Sequence, residues 1–130
     1  MTLGRIKLFL CLSLCMACSS GPTPEELASL AAKGYYQHLV DSDYAHYLEG
    51  KVWADSLPDD YREQLITAYK QFMAKQQKEH RGINEVRIMN ARTDTLLHET
   101  NVFLVLCFGD STNEEIVVPM VERNGSWRMK

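Results

Sequence analysis

The residues able to do chemistry are few and dispersed. Four histidines (His38, His46, His80 and His98) and four cysteines (Cys11, Cys15, Cys18 and Cys107) are scattered through 130 residues. Metal sites legible in a single sequence show paired ligands at short spacing, because neighbouring turns then present both donors to one ion. The histidines share no such spacing. No cysteine pair brackets a loop as zinc ligands do, and no clustered carboxylate motif occurs, so no metal is expected. A glycine-rich phosphate loop and a Gly-x-Ser-x-Gly elbow are also missing, and no cofactor is implied.

Proton-transfer chemistry needs a carboxylate or imidazole base among apolar walls and an acidic donor for the developing oxyanion. His46, set between Tyr44 and Tyr47, is the best general-base candidate, with a surface histidine as the simpler reading. Glu85 and Arg87 fall on one face of a strand, where an exposed ion pair is the common outcome. Glu114, Glu115 and Glu122 sit near strand ends, where carboxylates are solvated. The hydrophobic run from Val102 to Phe108 offers neither acid nor base, and Cys107 within it reads as a small buried apolar residue rather than a nucleophile. No catalytic residue is assigned.

The other cysteines belong to an address. Arg5 and Lys7 precede a ten-residue apolar run, Leu8 to Ala17. Spanning a bilayer takes about 20 apolar residues, so this run is too short for a permanent helix, and Ser19-Ser20-Gly21-Pro22 ends it. Residues 1–17 read as a signal peptide. Leu14-Cys15-Met16-Ala17-Cys18 resembles the lipobox of bacterial lipoproteins, which implies that Cys18 becomes a lipidated N-terminus; an ordinary cleaved signal is the alternative. The departure from the usual lipobox is Cys15, which stands where an aliphatic residue is common. Several acyl chains would give stable membrane association, each buried methylene contributing about 0.8 kcal/mol. The expected location is the cell envelope, on its periplasmic side, since Ser-Ser-Gly-Pro-Thr after Cys18 has no acidic run. Loss of Arg5 and Lys7 leaves the mature chain more acidic than the precursor, whose net charge is −3. With no basic block, nucleic acid is not an expected partner.

The elements that position these residues come in two blocks. Residues 18–23 form a tether, and residues 24–130 one domain, consistent with 45 % apolar and 24 % charged residues. Thr23-Pro24-Glu25-Glu26 is a helix start with cap, first-turn proline and acids at the positive helix end. Leu27, Leu30, Ala31, Tyr35 and Leu39 continue it to residue 40, with Gly34 allowing close approach of another element. Asp41-Ser42-Asp43 breaks it and caps a short second helix that Gly50 ends. Ser56-Leu57-Pro58 repeats the start signal for a third helix over 57–79, striped by Leu57, Tyr61, Leu65, Ala68, Tyr69, Phe72 and Met73. Lys75, Lys78, His80 and Arg81 suit its negative end before Gly82.

From Ile83 the period changes to two. Strands are expected at 83–92, around 102–108, at 115–122 and at 126–129, the second covered on both faces and separated from the first by a long connection carrying His98. Asn124-Gly125 is the strongest hairpin signal. Helices first, then hairpin-linked strands, give an α+β domain: three N-terminal helices packed on a curved antiparallel sheet of about four strands.

Tyr35-Tyr36, the Asp43-Tyr44 corner, Leu57-Pro58 with Tyr61, and the ending Val117-Val118-Pro119-Met120-Val121 with Asn124-Gly125-Ser126-Trp127 resemble the nuclear transport factor two-like (cystatin-like cone) superfamily. They are similar in particular to bacterial lipoproteins with a lumazine-binding-like domain of unknown role. The resemblance covers residues 25–130 and implies a cone with a pocket between helices and sheet. Tyr36, Tyr44, Tyr47, Trp53, Tyr69, Phe72, Leu104, Leu106 and Trp127 are the implied lining; filling of the core by the same side chains is the competing reading. The superfamily contains enzymes and binding modules, so fold leaves function open. The expectation is a lipid-anchored envelope domain without catalytic activity that binds a small apolar ligand or an envelope protein. The alternative is a small isomerase, dehydratase or hydrolase using Tyr36, His46 or Glu85. A homodimer through the sheet face is a further expectation.

Overall fold

The computed structural model describes residues 21–130; the signal segment and Cys18 lie outside the described residues. Helices α1 (Pro24–Val40), α2 (Tyr44–Glu49) and α3 (Asp59–His80) precede strands β1 (Ile83–Asp94), β2 (Glu99–Phe108), β3 (Asn113–Arg123) and β4 (Ser126–Met129). The strands pair antiparallel in the order β1-β2-β3-β4. Two register shifts in β1, at Ile83/Glu85 and Ile88/Asn90, add the local bend that curves a sheet. The architecture is the α+β arrangement that the element order predicts, and no helix among the described residues is long and apolar enough to cross a membrane.

α1 starts as its sequence dictates. Thr23 Oγ1 accepts from the Glu26 N–H at 3.1 Å and Pro24 occupies the first helical position. Its buried face differs from the leucine stripe. Ala28, Ser29, Ala32 and Leu39 are buried, whereas Leu27 and Leu30 are 42 % and 62 % exposed. Small side chains let the helix backbone lie close to the sheet, and the two leucines are left to flank the contact on either side. Gly34 plays no part in that approach: it is exposed, and a Cβ there would touch nothing.

α3 begins after Pro58, not at the expected Ser56 cap. The residue before a proline is driven out of the helical region, and Leu57 is accordingly extended (ψ 135°), while Ser56 closes a 3-10 turn with Ala54 and Asp55. Its far end is a left-handed stop at Arg81 (φ 62°) and Gly82 (φ 84°). There the Gly109 N–H reaches the Gly82 carbonyl at 2.9 Å, and a Cβ on Gly109 would collide with Arg81.

The core lies between α1 and one face of the sheet, with Val86, Val102, Leu104, Met120 and Met129 essentially inaccessible. β2 is central but covered on one face only: Val102, Leu104, Leu106 and Phe108 are buried, and Phe103, Val105 and Cys107 alternate with them as half-exposed residues. All three helices pack on the same side, so an apolar second face finds no cover among the described residues. Cys107 is therefore on the outer face and half-buried, not a core residue. The β1–β2 connection is also shorter than expected. The Asp94 carboxylate accepts from the Leu96 and Leu97 N–H groups, folding a turn over residues 95–98 that carries His98 at φ 55°.

Candidate functional site

The feature that sequence spacing concealed is the α1–α2 corner. α1 ends at Val40, Ser42 takes a left-handed backbone (φ 65°), and the Asp43 N–H donates to the His38 carbonyl at 2.8 Å. This reversal lays the first turn of α2 against the last turn of α1. His38 and His46, eight positions apart, become stacked neighbours with ring centroids 5.1 Å apart and planes 27° apart. Asp43 stands between them. Its Oδ2 is 2.6 Å from His46 Nδ1 and 3.4 Å from His38 Nδ1, while its Oδ1 caps α2 by accepting from the His46 N–H at 3.3 Å. The hydrogen bond to Asp43, reinforced by its charge, raises the His46 pKa, and the same bond lowers that of Asp43.

Beside this corner runs an open groove of about 470 Å³ between α1, α2 and the β3–β4 hairpin. Leu27, Ala31 and Trp127 give it apolar wall; His38, His46 and Glu49 give it a polar end. Two contacts hold its shape. The Tyr35 hydroxyl donates to the Trp127 carbonyl at 2.7 Å, and the Arg128 guanidinium donates to the Glu49 carbonyl at 2.8 Å. Tyr35 needs Gly50 beneath it, since a Cβ there would lie 2.5 Å from the ring. The indole Nε1 of Trp127 is buried without a hydrogen-bond partner among the described residues.

The residues expected to line one pocket are dispersed. Trp127 lines the groove. Tyr36 and Tyr69 pack edge-on against Tyr47, with centroids 5.3 and 4.9 Å away, and burial drives the Tyr47 phenol far above its ordinary range. Leu104 and Leu106 are core residues, Trp53 and Phe72 are 39 % and 41 % exposed, and Tyr44 borders a separate depression beside α3. Glu85 and Arg87 form an exposed ion pair at 3.1 Å, and it is this hydrogen-bonded partner that lowers the Glu85 pKa. Tyr36, His46 and Glu85 thus belong to three different clusters. His80 is engaged elsewhere, stacked on Phe108 and 2.9 Å from Asp110.

Three helices on one face of a bent, four-stranded antiparallel sheet define an α+β cone with a lateral groove. The fold is NTF2-like: a Campylobacter jejuni structure described as an NTF2-like transpeptidase matches with a TM-score of 0.60 over 75 % of this chain and 92 % of that chain, at 13 % identity. No protein-family model and no curated protein matches the sequence. Binding proteins and enzymes both use this fold, so the groove and its side chains must carry any functional argument.

Proposed function

We propose that this chain is a cell-envelope domain, held to a membrane on its periplasmic side by lipid on Cys18, that binds a small amphipathic ligand. The observation that carries the reading is the groove: an apolar wall of Leu27, Ala31 and Trp127 running into the polar end made by His38, His46 and Glu49. Pockets that hold small ligands combine such a wall with a few placed polar groups. A pocket enzyme built on Tyr36, His46 or Glu85 has less geometric support because those residues do not converge. The transpeptidase description belongs to the Campylobacter protein; the one cysteine among the described residues, Cys107, lies on the outer sheet face, away from the groove.

Native mass spectrometry of the full chain extracted from its own envelope tests both parts. A retained small-molecule mass that disappears in Trp127→Ala is the expected result; a wild-type chain without one, or retention indifferent to Trp127→Ala, overturns the ligand reading. Metabolic palmitate labelling should be abolished in Cys18→Ala, and persistent labelling overturns the anchor.

A second reading, self-association through the sheet, is favoured by the uncovered outer face, where Val117 is 51 % exposed beside half-exposed Phe103 and Val105. Light scattering of the Cys18→Ala chain should then give a dimer mass that Val117→Glu halves; a monomer in both variants removes this reading.

A further inference from the structure

The geometry points to a divalent transition-metal site of the zinc class at the α1–α2 corner, with His38 Nδ1, His46 Nδ1 and Asp43 Oδ2 as its protein ligands. One donor atom from each residue lies within 4.8 Å of the other two. Ligands bonded at about 2.0–2.1 Å to a tetrahedral zinc ion stand about 3.3 Å from one another. The 3.4 Å separation of His38 from Asp43 already matches that edge, and the 2.6 Å separation of His46 from Asp43 has to open by less than about 1 Å. The side chains are partly exposed (44 % for His38, 38 % for Asp43, 61 % for His46), so the adjustment is a small rotation into solvent rather than a rearrangement of the core.

The corner divides labour between the two carboxylate oxygens. Oδ1 is committed to capping α2, and Oδ2 is left for the imidazoles. Both imidazole Nδ1 atoms face that one oxygen, at 2.6 and 3.4 Å, which is the convergence that an ion held by all three side chains would use. Two imidazoles and one carboxylate favour zinc, nickel or copper over magnesium or calcium, which prefer all-oxygen shells. Three protein ligands leave a fourth position for water or for an anionic group of a bound molecule. His38 and His46 also line the groove, so the site adjoins its polar end. The site stands on this geometry and not on the ligand reading above.

The test is a Zn²⁺ titration of the full chain in detergent, stripped beforehand with chelator and followed by nitrogen NMR of the imidazoles. One equivalent should saturate, shifting the ring resonances of His38 and His46 and leaving those of His80 and His98 in place. Asp43→Asn keeps an equally good helix cap and removes the anionic ligand, so it should weaken Zn²⁺ at least tenfold with an unchanged circular dichroism spectrum. His38→Ala and His46→Ala should each do the same, and Cys107→Ser should bind as the parent does. Zn²⁺ that moves His80 or His98 instead, non-saturating binding, or wild-type affinity in the histidine variants overturns the proposal. So does loss of binding in Cys107→Ser. None of these outcomes bears on whether Trp127→Ala retains a ligand.

Discussion

α1 and α3 both open with a proline and an acidic first turn, and both carry an apolar stripe. Over its 17 residues α1 buries four; α3, with 22, buries none completely. What separates them is side-chain size on the face toward the sheet. Ala28 and Ala32 let α1 approach closely enough to seal Val86, Val102 and Leu104. α3 presents large rings: Tyr69 packs edge-on against Tyr47 and, with Met73, against the core, whereas Tyr61 and Phe72 stay 53 % and 41 % exposed. The Arg62 guanidinium reaches the Ala54 carbonyl at 3.4 Å, and His80 meets Asp110. Amphipathicity therefore marks which side of a helix is apolar, but residue volume decides whether that side is sealed.

The contrast is sharpest in the core. Leu104→Ala, beneath α1, should cost about 2–5 kcal/mol in urea unfolding, whereas Phe72→Ala on α3 should cost under about 1 kcal/mol. Equal losses would break the distinction. Next, Gly50→Ala should cost about 1–3 kcal/mol, because the new methyl must displace the Tyr35 ring and with it the bond to Trp127; an unchanged unfolding midpoint would show that the α1 side is looser than described. The helix starts give a smaller effect. Thr23→Ala should lose about 1 kcal/mol, and Ser56→Ala close to nothing, since only Thr23 caps a helix.

The smallest effect concerns acid. Hydrogen bonds from Thr112, then from His80, hold the Asp110 pKa down to about 2 from an ordinary 3.8. A depressed carboxylate stabilises the fold above its unfolded pKa, and that contribution is lost as pH falls through the folded value. Between pH 4 and pH 2 the parent should therefore lose stability more steeply than Asp110→Asn, and hydrogen exchange should show the C-terminal turn of α3 opening first. Identical acid profiles would show that this fastening contributes little.

Much of the fold was legible because local chemistry and tertiary structure agree. Thr23-Pro24 starts α1, Asn124-Gly125 (φ 53° and 82°) turns the last hairpin, and alternation from Val102 to Phe108 marks β2. The failures have physical causes. Period-two alternation reports that both faces of β2 are apolar, but not that all the helices lie on one of them. A proline moved the α3 start because its ring constrains Leu57. The site was harder to read: ligand-spacing rules assume donors on one turn or one loop, and His38 and His46 meet only because Ser42 reverses the chain. The cue was present in Asp41-Ser42-Asp43, a helix break with a histidine on either side. Tyr36, Tyr47 and Tyr69 were legible as aromatic and not as mutually packed, since ring-on-ring contact depends on how α1, α2 and α3 cross.

The backbone beside β4 has a bearing on how copies of the chain meet. Met129 donates to the Gly50 carbonyl at 2.7 Å and accepts from the Val52 N–H at 2.8 Å, so the segment after α2 covers the free edge of this short strand. At the opposite edge, β1 carries two irregularities and the charged pair Glu85 and Arg87. Open edges of flat strands recruit further strands into ribbons and fibrils; a covered edge and a kinked, charged one resist this. Chains crowded together are thereby steered away from edge-to-edge growth.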